Sequence, residues 1–83
     1  MRLDWQPRAL KDLARLDERM QQRIITAMER FASTGQGDVV RLTDVQPPEF
    51  RLRVGDWRVR FTQDPASRTI FVLRVLPRDK AYG

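Results

Sequence analysis

Phe50-Arg-Leu-Arg-Val-Gly-Asp-Trp-Arg-Val-Arg-Phe61 is the stretch from which the rest of the chain can be read. Two five-residue runs of strict apolar/polar alternation flank Gly55-Asp56, a short-range signal for a β-hairpin of defined register. With Gly55 and Asp56 as a two-residue loop, the facing pairs are Val54/Trp57, Arg53/Arg58, Leu52/Val59, Arg51/Arg60 and Phe50/Phe61. One face of the ribbon is then apolar, and the other carries Arg51, Arg53, Arg58 and Arg60 in two like-charge pairs. Like charges directly opposite each other destabilise a sheet. Stability alone does not account for the pattern, whereas a polyanionic ligand does. The guanidinium presents a planar fork of donors that matches phosphate, so the implied ligand is a nucleic-acid backbone.

Upstream of the hairpin, residues 2–6 suit a short strand with Leu3 and Trp5 on one face. Pro7 fits the first position of a helix, where its missing N–H costs nothing. Leu10, Leu13, Ala14 and Leu16 recur at helical spacing, with Arg8, Lys11, Asp12 and Arg15 on the other side. Asp17 reads as the N-cap of a second helix whose apolar stripe is Met20, Ile24, Ala27, Met28 and Phe31. Gly35 is its natural stop. Between Gly35 and Glu49, two glycines and Pro47-Pro48 mark a connection, in which Val39-Val40-Arg41-Leu42 fits an extended or a helical piece equally. Downstream, residues 63–67 (Gln-Asp-Pro-Ala-Ser) form a turn. Thr69 to Leu76 is the most apolar run and suits a strand inside the sheet, ended by Pro77. The order is β-α-α-β-β-β. This is an α+β fold in which a small antiparallel sheet packs its apolar face on an N-terminal helical hairpin, leaving the arginine face open. Residues 1–83 read as a single domain.

The chain has 16 Lys+Arg, 11 Asp+Glu, a net charge of +5, no cysteine and no histidine. It therefore has no disulfide framework, no thiolate nucleophile and no imidazole for acid/base work or zinc binding. The charge is uneven: residues 1–44 hold eight basic and seven acidic side chains, residues 45–83 eight basic and four acidic. The C-terminal half is thus the part that meets an anionic partner. No apolar run reaches the length of a membrane span and no signal peptide opens the chain, which reads as cytoplasmic with no membrane partner.

On the open face, Arg74 joins the four hairpin arginines if the last strand pairs in register, with Arg78, Lys80 and Tyr82 following at its end. Such a cluster can hold several phosphates and offset charge developing at phosphorus. A phenol among guanidiniums has its pKa lowered, so Tyr82 is placed to act as a base or to stack on one. Glu49 and Asp79 are further acid/base candidates, with nothing in the sequence to bring them together. Trp5, Trp57 and the helix stripes read as core.

The opening Trp5-Gln-Pro-Arg-Ala-Leu-Lys-Asp-Leu13, the Phe50–Phe61 hairpin and the ending Val72-Leu-Arg-Val-Leu-Pro-Arg-Asp-Lys-Ala-Tyr82 resemble, in that order, the RelE/ParE superfamily of bacterial toxins. The resemblance implies the toxin of a type II toxin–antitoxin pair, neutralised by a small cognate antitoxin that covers its basic surface. The RelE branch is the most similar. It implies an enzyme that enters the ribosomal A site and cleaves mRNA without a metal or other cofactor, using the messenger's own 2′-hydroxyl. By matching position, Arg58 contacts the scissile phosphate, Arg78 stabilises the transition state or leaving group, and Tyr82 stacks on or deprotonates the RNA. These three are the catalytic candidates, and Arg51, Arg53, Arg60, Arg74 and Lys80 are the RNA-binding ones. The alternative is a ParE-like inhibitor of DNA gyrase with the same fold and no cleavage. The chain departs from many relatives in two ways: Pro77 stands where they carry His, and the chain stops at Gly83 without a C-terminal helix.

Overall fold

The computed structural model describes residues 1–42 and 44–81. Seven elements follow in order: β1 (Arg2–Trp5), α1 (Pro7–Ala14), α2 (Glu18–Thr34), β2 (Val39–Leu42), β3 (Glu49–Val54), β4 (Trp57–Asp64) and β5 (Thr69–Pro77). The strands form one sheet in the order β1-β5-β4-β3-β2.

The helices begin and end where local chemistry sets them. Pro7 opens α1. The Asp17 carboxylate accepts the Met20 N–H at 2.8 Å, capping α2. Gly35 closes α2 in the left-handed conformation (φ 76°) and donates its N–H to Phe31 O. The joint between the helices is held by Gln21, whose Nε2 donates to the carbonyls of Leu13, in the last turn of α1, and Leu16, just beyond it.

The hairpin has the register read from the alternation, pair for pair from Val54↔Trp57 to Phe50↔Phe61. Gly55 takes φ 58° at the first loop position, a conformation that glycine adopts without steric cost. Leu52, Val54, Val59 and Phe61 on the helix side are buried with Ile24 and Met28 of α2 and with Ile70, Val72 and Val75 of β5. Phe50 stacks on Phe61 at 5.4 Å between centroids, and Phe31 of α2 packs on the same ring at 5.2 Å.

Three readings change. The undecided piece Val39–Leu42 is a strand, paired antiparallel with β3 and forming the edge of the sheet. The α+β class stands, but the sheet is mixed, because β1 runs parallel to β5. Strands joined by tight turns must alternate in direction, whereas β1 is separated from the others by the helical hairpin and escapes that rule. On α1 the buried positions are Ala9 and Leu13, and Leu10 is 52% exposed. The helix turns positions 9 and 13 onto the sheet because it packs mainly along β5.

Candidate nucleic-acid interface

Alternation along the hairpin puts Glu49, Arg51 and Arg53 of β3, and Arg58 and Arg60 of β4, on the face turned away from the helices. Arg51 faces Arg60 and Arg53 faces Arg58, as read. β5 brings Arg74 opposite Arg60, with a register shift just beyond it. Five arginines therefore share one face, but their charge is not equally available.

Towards β5 the charge is neutralised. Arg60 Nε donates to the carboxylate of Glu49, which is itself buried. Arg74 is held by Asp12 of α1, Nε to Oδ2 at 2.8 Å and Nη2 to Oδ1 at 3.2 Å. The same Oδ2 accepts the Val75 N–H at 2.8 Å. β5 has its β1 neighbour only as far as Val72, so its backbone edge beyond that point needs another partner, and Asp12 supplies one. Burial pushes the Asp12 carboxyl up. The Arg74 hydrogen bond, the Val75 N–H and the charges of Arg74 and Arg15 together outweigh burial and hold it below the usual carboxylate range. The bond to Asp12 in turn raises Arg74, against the effect of its burial.

Towards β2 the picture differs. Arg58 is 8% exposed, and its Nη1 donates to the carbonyls of Gly55 at 3.0 Å and Trp57 at 2.9 Å. The expectation of a fully open arginine face is corrected here. A guanidinium taken out of water must find acceptors, and the hairpin's own turn offers two within reach. Arg53 remains exposed, with only a loose contact to Asp38 at 3.9 Å. Arg51 is half-buried. Together Arg51, Arg53 and Arg58 line a cleft of about 200 Å³, bounded by Asp38 and by an apolar wall of Val40 and Leu42 from β2.

After β5 the chain turns back on the hairpin. The Arg78 N–H donates to Asp56 O at 2.9 Å and the Lys80 N–H to Pro77 O at 3.0 Å. Arg78, Asp79 and Lys80 are exposed, while Ala81 is buried. The turn that carries Arg78 thus lies against the hairpin loop that precedes Arg58. Tyr82 lies outside the described residues. Among the described residues no group of His, Cys, Asp and Glu is placed to hold a metal ion, and no helix is long and apolar enough to cross a membrane.

The sequence reading did not foresee Asp12 as the partner of Arg74, Glu49 as the partner of Arg60, or the wall formed by Val40 and Leu42. Glu49 carried a usable signal, since it stands two residues before Arg51 and therefore on the same strand face. Asp12 carried none, because 62 residues separate it from Arg74.

The family model described as "ParE toxin of type II toxin-antitoxin system, parDE" matches residues 3–82. No curated protein matches the chain. Among solved structures, the RelE–RelB complex of Pyrococcus horikoshii OT3 is similar at a TM-score of 0.80 and 21% identity, over 95% of this chain and 96% of that one. The RelB–RelE antitoxin–toxin complex of Methanococcus jannaschii gives 0.74 and 22%, over 94% and 93%. The isolated E. coli RelE toxin gives 0.64 and 18%, over 98% and 89%. At these identities the likenesses establish a shared fold. With the family match running over nearly its whole length, the chain belongs to the ParE toxin family of type II toxin–antitoxin systems, within the RelE/ParE superfamily.

Proposed function

We propose that this toxin is a ribosome-dependent mRNA endoribonuclease restrained by a cognate antitoxin, acting at the β2-side half of the arginine face. The observation that carries the reading is the cleft of Arg51, Arg53 and Arg58, with the Arg78 turn docked on the adjoining hairpin loop. Both bonds that pin Arg58 use Nη1, which leaves Nη2 and Nε for a phosphate and holds the guanidinium in one orientation. Arg51 and Arg53 position the flanking backbone, and Val40 and Leu42 offer an apolar surface to a ribose or base.

In the reaction the 2′-hydroxyl oxygen attacks the adjacent phosphorus as its proton is removed. The bond to the 5′-oxygen breaks, and that oxygen is protonated. The products are a 2′,3′-cyclic phosphate and a 5′-hydroxyl. Arg58 offsets the charge that builds on the equatorial phosphate oxygens, and Arg78 does so for the leaving oxygen. Tyr82 stacks on the RNA or takes the 2′-hydroxyl proton. Arg60, Arg74 and Lys80 contribute at the margin, the first two through guanidiniums already bound to carboxylates. An antitoxin partner is supported by the fold likeness to proteins solved as toxin–antitoxin complexes.

The test is primer extension on an mRNA in a purified translation system. Discrete cuts that require ribosomes and disappear in Arg78→Ala are expected. A second reading, inhibition of DNA gyrase, is favoured by the ParE name of the matching family model. Intact message together with loss of supercoiling in a gyrase assay would replace the first reading with this one.

A further inference from the structure

A second arginine cluster lies on the helix side of the molecule, where α2 passes the end of the hairpin. Arg23 and Arg30 stand seven residues apart on α2, and with Arg53 they line a cleft of about 390 Å³ floored by Leu52. The Arg23 guanidinium lies over the hairpin turn: a Cβ at Gly55 would sit 3.1 Å from its Nη1. Arg30 Nη2 is steered by the neutral Gln36 Oε1 at 2.9 Å, a bond that fixes the group without cancelling its charge. The single carboxylate in the lining is Asp38, 3.9 Å from Arg53. Three guanidiniums around one loosely engaged carboxylate make a cavity short of negative charge.

Arg53 and Asp38 also line the cleft on the open face, so the two clefts meet at that pair on the rim of the sheet. A cationic track therefore runs from Arg58 through Arg51 and Arg53, over the rim, to Arg30 and Arg23. We propose that the α2 cleft is a second backbone subsite for the same RNA strand that occupies the open face, holding two of its phosphates on Arg23 and Arg30 after the strand crosses Arg53. The inference rests on the nucleic-acid reading of the open face and extends it round the edge of the molecule. An acidic protein segment fits less well, because the apolar residues of the lining are Ala27, a small side chain, and Leu52, which is 2% exposed, and they offer little to anchor a folded partner.

The experiment measures binding of 2′-O-methyl oligoribonucleotides, which lack the attacking hydroxyl, as a function of salt. For a 12-mer, the Arg23→Gln/Arg30→Gln variant should lower the slope of log K against log[salt] by about 1.4, the value for two single-strand phosphates. A 4-mer, long enough for the open face alone, should bind the variant as it binds the wild type. Arg2→Gln/Arg68→Gln, which removes two charges at the opposite edge of the sheet, should leave both slopes unchanged. An unchanged 12-mer slope in the Arg23/Arg30 variant overturns the proposal, as does an equal loss with the 4-mer. So does poly-glutamate of matched charge showing the same dependence on Arg23 and Arg30, since the cleft would then be an acidic-protein site. If the double variant melts early, Arg30→Gln alone should still lower the slope by about 0.7. A slope that falls as expected in a protein that cuts no message keeps the subsite and discards the nuclease reading.

Discussion

At the scale of single residues, the same side-chain type plays three parts on one sheet face. Arg74 is a structural cation, Arg58 a guanidinium locked to backbone, and Arg53 an exposed charge; what separates them is the acceptor each can reach. Asp12 fixes the first of these. It binds a guanidinium and an edge N–H at once, and removing it leaves both without their partner. Asp12→Ala should therefore cost about 2 kcal/mol, read by urea denaturation. A loss below about 1 kcal/mol would show that water replaces the carboxylate freely. Because the folded-state pKa of Asp12 lies below its ordinary value of 3.8, its contribution is complete above that pH and fades as acid carries the protein down through the folded value. The stability gap between wild type and Asp12→Ala should accordingly be constant at neutral pH and narrow below about pH 4. Arg58 and Arg78 divide in a different way. Both alanine variants should lose message cleavage, but only Arg58→Ala should also lower stability, by about 1–2 kcal/mol, since it strips two turn carbonyls of their donor. Arg78 is exposed, and its bond to the Asp56 carbonyl is made by its backbone N–H, so Arg78→Ala should melt with the wild type.

At the scale of elements, the hairpin carries the strongest local specification in the chain. Period-two alternation, a glycine able to take φ 58° and apolar partners on one face all demand the same register. Leu52→Asp should unfold the protein, because it sets an unpaired carboxylate among buried side chains at a position 2% exposed. A cooperative far-UV melt near the wild-type midpoint would mean that Leu52 is not in the core. The helix ends are set as locally: Asp17→Ala removes the α2 cap and should cost about 1 kcal/mol in the same denaturation series. The turn before β5 was legible for a similar reason, since the Asp64 carboxylate accepts from Ala66 N–H and Ser67 Oγ within four residues. Elements with conflicting or weak local signals were not legible. Val39–Leu42 is four residues long and has a strand identity only because β3 lies beside it. Leu10 scores as apolar at helical spacing but points to water, because the direction from which the sheet approaches α1 is not written in α1.

At the scale of the whole molecule, the charge forms a track that begins on the open face, crosses the sheet rim at Arg53 and continues to α2. Binding to RNA should therefore weaken steeply with salt, and more steeply than the open-face cleft alone would produce. The sequence by itself determined the α+β class, the two helix boundaries, the hairpin register and the placing of arginines on one face. Each of these depends on residues a few positions apart, where backbone geometry leaves little choice. Tertiary structure decided which arginines keep their charge available. Asp12 reaches Arg74 across 62 residues and Glu49 meets Arg60 across a strand pair, while Arg58 turns inward onto two nearby carbonyls that the closed hairpin holds within its reach. Ion pairing and burial depend on distances through space, and those are fixed only when the sheet has assembled on its helices.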